Sequence, residues 1–97
     1  MKPRDESGYL RAITRLAQML GYTIYHTHDS RRSNPGWPDL VLCRPPRLIV
    51  AELKSARGRL RRAQVAWLDL LGEVPGIETY VWRDGTDSLD EIARILR

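Results

Sequence analysis

Two apolar runs separated by a proline-bearing break set the strongest constraint on this chain. Asp39-Leu40-Val41-Leu42-Cys43 and Leu48-Ile49-Val50-Ala51-Glu52-Leu53-Lys54 flank the tetrapeptide Arg44-Pro45-Pro46-Arg47. Prolines in so short a connection force a tight break, so the runs predict neighbouring strands of a hairpin. A strand with one wet face alternates apolar and polar residues. Here nearly every position is apolar, which places the pair mid-sheet with both faces covered.

The rest of the chain supplies the layers around that hairpin. Leu10, Ile13, Leu16, Ala17 and Leu20 recur at helical spacing between about Asp5 and Leu20, and Gly21 follows as a C-cap. Tyr22 to His28 alternates and is rich in β-formers, predicting a strand, and Asp29 to Gly36 is a polar loop. After a basic loop from Ser55 to Gly58, Leu60, Gln64, Trp67, Leu68 and Leu71 mark an amphipathic helix ending near Gly72. Pro75-Gly76 turns the chain into a strand from Ile77 to Trp82. Ser88 with Glu91 three residues on is a capping-box signal for a last helix with Leu89, Ile92, Ala93 and Leu96 inward. The order helix, three strands, helix, strand, helix predicts an α/β domain on a small mixed sheet.

Ninety-seven residues leave room for one domain, residues 1–97. No apolar run approaches the roughly 18–20 residues of a bilayer span. The charged start, Met1-Lys2-Pro3-Arg4-Asp5-Glu6, has no apolar stretch behind it and predicts no secretory signal. The single Cys43 excludes an intramolecular disulfide and a cysteine-rich zinc site. The expectation is a cytoplasmic protein without membrane partners. Sixteen Lys and Arg against twelve Asp and Glu give +4, unevenly spread. Arg31, Arg32, Arg44, Arg47, Lys54, Arg57, Arg59, Arg61 and Arg62 crowd the middle of the chain, while the tail is acidic. Such a centre fits phosphate contact and a nucleic-acid partner, with a merely solvated basic surface as the alternative.

Charged residues interrupt the two central strands at informative places. Glu52 and Lys54, two apart, share one face of their strand. In a hairpin the start of one strand lies beside the end of the next, so Asp39 meets Glu52. Two carboxylates on a largely apolar sheet repel, and a hard divalent cation, Mg²⁺ or Mn²⁺, resolves the conflict. With a metal activating water and polarising a phosphate, Lys54 can orient the water or stabilise charge in phosphodiester hydrolysis. Glu-x-Lys alone is weak, arising by chance in about a third of chains this long. Its conjunction with Gly-x-Pro-Asp, the proline turn and the basic loop is far more specific. Gln64 sits on an otherwise apolar stripe and needs a polar partner at its tip. His26 and His28 lack a third ligand for zinc, which leaves plain strand polarity or a phosphate or solvent contact beside the basic loop, with His28 the candidate for the contact. Of the three tryptophans, two are expected in the core, and Trp37 alone sits in a loop open to stacking on a base.

Gly36-Trp37-Pro38-Asp39-Leu40 with Ala51-Glu52-Leu53-Lys54 resembles the signature of the PD-(D/E)XK nuclease superfamily. Gly58-Arg59-Leu60, Gln64, Trp67 and Tyr80-Val81-Trp82-Arg83 are similar to its VRR-NUC group. The resemblance implies a restriction-endonuclease-like core in the order helix-strand-strand-strand-helix-strand. It implies Asp39, Glu52 and the Leu53 carbonyl as metal ligands, Lys54 as catalytic lysine and Gln64 in support. Relatives carry a glutamate in the first helix; Gly8 stands at that place, and Glu6, two residues earlier, is the candidate. Where relatives start the second helix on a small hydroxyl, this chain has Arg61-Arg62. Small members of the group, typical of bacteria and phages, resemble dimeric junction nucleases, so branched DNA and a homodimer are expected. Arg31, Arg32, Arg57, Arg59, Arg61 and Arg62 would grip the DNA. A nuclease-like fold that binds DNA without cutting it is the alternative.

Overall fold

The computed structural model describes residues 6–27 and 34–97. The chain runs through α1 (Glu6–Met19), β1 (Thr23–His26), β2 (Leu40–Arg44), β3 (Arg47–Lys54), α2 (Arg62–Gly72), β4 (Ile77–Arg83) and α3 (Leu89–Leu96). This is the restriction-endonuclease-like α/β order expected from the sequence. The strands lie in the order β1-β2-β3-β4, with β1–β2 and β2–β3 antiparallel and β4 parallel to β3. A parallel partner needs a crossover, and α2 provides it.

Tyr9, Ile13 and Ala17, one turn apart along α1, are buried. Gly21, with φ +91°, ends that helix: its N–H reaches the Gln18 carbonyl and that of Tyr22 the Ala17 carbonyl, a Schellman closure that only the left-handed conformation allows. On β3, Ile49, Ala51 and Leu53 point to the side covered by α1 and α3, meeting Leu40, Leu42 and Trp82 in one core. The Tyr22 hydroxyl donates to the Leu96 carbonyl at 2.9 Å, and that of Tyr9 to the Asp87 carbonyl at 2.7 Å, tying both terminal helices to the sheet. The expected capping box is present: Ser88 Oγ accepts from the Glu91 N–H at 3.1 Å and Glu91 Oε1 from the Ser88 N–H at 3.3 Å.

The other face of the sheet is less completely covered. Among the described residues α2 packs chiefly against β4 and leaves much of the β1–β2 side open. Burial from Ile49 to Leu53 is unbroken, but Val41 and Cys43 on β2 are half-exposed. The expectation of two covered faces holds for β3 and fails for β2. β1 is also shorter than predicted, because Tyr22 turns into the core. Its last partner beyond the strand is Thr27, whose N–H donates to the Asp39 carbonyl at 3.0 Å.

Candidate active site

The hairpin register decides which charged side chains meet. Leu40 pairs with Ala51, so Asp39 stands level with Glu52 at the end of the ladder. The face carrying both also carries Lys54 and lies under the start of α2. The Leu53 N–H, with no further strand residue to bond, donates to Asp39 Oδ2 at 2.8 Å and fixes that carboxylate. Continuing the register would put Pro38 opposite Leu53. A proline has no N–H to offer, and the Pro38 carbonyl accepts from the Thr27 hydroxyl at 3.1 Å. In an extended strand a residue's N–H and C=O leave by the same edge. The Leu53 carbonyl therefore projects toward Asp39, on a side where Pro38 supplies no donor.

Glu52 is the buried acid of the pair, only 3% exposed. Gln64 Nε2 donates to Glu52 Oε2 at 2.8 Å, which is the polar partner that the sequence required for this glutamine. Lys54 Nζ lies 3.9 Å from the same oxygen. Glu52 Oε1, by contrast, is buried with no hydrogen-bond partner among the described residues. Burial first, then the charge of Asp39, push the Glu52 carboxyl up to about 8, with Lys54 pulling it part of the way back. A buried carboxylate oxygen lacking a donor carries a substantial desolvation penalty, and a bound cation would remove it.

The donor set fits a hard divalent ion. Among the described residues no three or more His, Cys, Asp or Glu side chains are grouped so that they could hold a metal ion by themselves. Two carboxylates and a backbone carbonyl leave the remaining positions to water and phosphate, the pattern that Mg²⁺ favours. Soft or nitrogen ligands are not part of it.

Asp39 is delivered by a loop that depends on one glycine. Gly36 has φ +87°, and a Cβ there would fall 2.4 Å from the carbonyl carbon and oxygen of Ala63 in α2. The glycine lets the loop press against the helix that carries Gln64. Gly36→Ala is expected to destabilise the fold by about 2–4 kcal/mol through strain and overpacking, read as a lowered urea midpoint.

The expected DNA-gripping arginines divide. Arg57, Arg59, Arg61 and Arg62 are exposed along the β3–α2 connection beside Lys54, and none makes an ion pair or side-chain hydrogen bond among the described residues. Arg31, Arg32 and His28 lie outside the described residues. Glu6 begins α1, but its side chain is outside them also. Two arginines of the basic centre are structural instead. Arg47 makes a bidentate pair with Glu78 at 2.7 and 2.8 Å, and Arg44 donates to the Leu20 carbonyl while lying 4.5 Å over the Tyr22 ring. Sequence reasoning gave no role to Arg83, whose guanidinium bonds the carbonyls of Ser55 and Gly58 and so holds the basic loop against β4. α2 starts without a side-chain cap from Arg61, but Gln64 Oε1 accepts from the Arg61 N–H at 2.7 Å. One glutamine thus closes the helix start and holds Glu52.

A helix leading into an antiparallel hairpin, with a crossover helix returning to a parallel strand, is the core of the PD-(D/E)XK nuclease-like superfamily, and the fold puts this chain in that class. The VRR-NUC domain family matches residues 9–83, well over half of the chain, and the chain belongs to it. No curated protein matches the sequence. Among the described residues no helix is long and apolar enough to cross a membrane.

Proposed function

We propose that this domain is a divalent-metal-dependent DNA endonuclease selective for branched or junction DNA. One observation carries the reading: Asp39 and the buried Glu52 face each other across the hairpin end, with one Glu52 oxygen left without a donor. Asp39, Glu52 and the Leu53 carbonyl would hold Mg²⁺ or Mn²⁺. Bound there, the ion would polarise the phosphodiester and make water a competent nucleophile at neutral pH.

The chain's own groups have separate tasks. The Leu53 N–H and the Gln64 amide fix one oxygen each of Asp39 and Glu52, so neither carboxylate can swing away. Lys54 brings a cation to the side where negative charge grows as water attacks the phosphorus. Arg57, Arg59, Arg61 and Arg62, exposed along the β3–α2 connection, line the approach with positive charge for flanking phosphates. Contacts of this kind reach phosphates and carry no base-sequence information, so shape is a more natural selector than base sequence. A pair of copies would allow two cuts on a branched substrate.

Cleavage of plasmid, linear duplex, single-stranded and four-way-junction DNA with Mg²⁺ or Mn²⁺ tests the proposal. The junction is expected to be cut fastest, and chelation is expected to stop all cutting. Tight binding without cleavage of any form would leave a DNA-binding module.

A further inference from the structure

We infer that an unpaired nucleobase of the substrate stacks in an aromatic cavity on the uncovered β1–β2 side of the sheet, next to the site of cleavage. The inference rests on the nuclease reading above and adds a subsite to it.

The cavity, about 410 Å³, is lined by Tyr25, Thr27, Asn34, Trp37 and Trp67. Its walls are built rather than incidental. Trp37 and Trp67 meet edge to face, centroids 5.0 Å apart and planes at 83°. Trp67 Nε1 donates to the Pro35 carbonyl at 3.1 Å, which pins the indole of α2 to the loop carrying Trp37. Tyr25 stands on β1 with 62% of its surface exposed. Among the described residues, an exposed tyrosine near two half-buried tryptophans leaves aromatic surface open beside the edge of α2.

Position and chemistry select the occupant. Tyr25 pairs with Val41, and Asp39 lies two residues along the same strand, a step of about 7 Å. Thr27 lines the cavity and also donates its N–H to the Asp39 carbonyl. A group held in this cavity is therefore the immediate neighbour of a phosphate held at Asp39 and Glu52. An aliphatic ligand would use the walls but waste the Asn34 amide and the lone pairs of the Thr27 hydroxyl, whose proton goes to the Pro38 carbonyl. A base offers a π-face to the rings and donor and acceptor edges to those two side chains. The exposed Arg61 and Arg62, at the start of the helix carrying Trp67, supply charge for the phosphates on either side. A base inside a duplex hides both its faces, so only an unstacked nucleotide can enter. Branch points provide one.

The test compares oligothymidylate with a fully paired duplex of the same length, with affinities measured in Ca²⁺. Tyr25→Ala and Trp37→Leu are expected to weaken oligothymidylate binding roughly tenfold, the loss of one stacked base, with little change for the duplex. Tyr25→Phe, which keeps the ring, should bind as wild type. Melting curves and sedimentation run on each variant. Unchanged oligothymidylate binding by Tyr25→Ala would overturn the stacking site while leaving the nuclease reading intact. Equal weakening on both DNAs would assign the loss to general affinity and overturn it too. A variant that shifts self-association would make this face a contact between two copies instead. A wild type that binds no DNA in any form would remove the nuclease reading, and the subsite with it.

Discussion

Lys54→Ala is expected to lower the single-turnover cleavage rate by two to three orders of magnitude, about 3–4 kcal/mol, the usual loss on removing one electrostatic catalyst. Its ammonium lies 3.9 Å from a carboxylate that Gln64 already holds, so the lysine is not needed to position Glu52. Its charge matters most when the phosphate gains charge in the transition state. DNA affinity in Ca²⁺ should fall far less, because one cation among several exposed arginines adds a modest share of phosphate binding. The diagnostic result is a large rate defect beside a small affinity defect. Proportional loss of both would make Lys54 a grip residue.

Asp39→Asn and Glu52→Gln should each abolish cleavage, yet the metal-free fold should respond to Glu52→Gln in the opposite direction. Mn²⁺ should raise the melting temperature of the wild type and of neither variant, since a ligand stabilises only the state that binds it. In the metal-free protein the Glu52 carboxyl titrates near 8, well above its ordinary 4.5. Between those values the folded state holds a proton that the unfolded state has released, so stability falls as pH rises through that window. A neutral glutamine has no such slope and can still accept from Gln64. Glu52→Gln is therefore expected to be more stable than wild type above pH 8, by about 1–3 kcal/mol, the cost of a buried group left unsatisfied. Parallel urea titrations at acid and alkaline pH would read the difference. Equal pH dependence of the two proteins would mean that Glu52 is not buried as a charge, and equal Mn²⁺ stabilisation of all three would sink the shared-metal idea.

The hairpin and its consequence were legible because they depend on neighbours in sequence. Two apolar runs about a proline turn fix which ends meet, and that alone puts Asp39 beside Glu52. Gln64 was legible for a different reason: an amide on an apolar stripe must find a partner, and Glu52 Oε2 is that partner. Longer-range pairings were not. A count of basic residues cannot see that Arg47 is taken by Glu78, which lies thirty-one residues away, or that Arg83 is spent on loop carbonyls. Apolarity along β2 likewise cannot say which helix will lie above it. α2 follows the crossover and packs chiefly against β4, so a strand that reads as buried on both sides is half-exposed on one. Trp67 was misplaced in the core by the same blindness. Its indole lies over that uncovered side, against Trp37, and only Trp82 joins the interior. Arg61 gives α2 no side-chain cap, and the glutamine at the helix's third position bonds the Arg61 N–H in its place.

The alternation along β3 divides labour between residues that are covalent neighbours. Ile49, Ala51 and Leu53 point into the interior formed with α1 and α3, while Glu52 and Lys54 point to the side where phosphate would arrive. The two sets share a backbone but almost no side-chain environment. Mutations that repack one set therefore need not retune the other, and their energetic effects should add where they share no partners. Such a sheet gives a lineage two nearly independent dials. The interior can drift toward greater heat tolerance while the acids stay fixed, and the reaction can be lost by one amide substitution with the interior untouched. Inactive descendants of a domain built this way would keep the fold, and a stable body with silent chemistry is raw material for a new binding task.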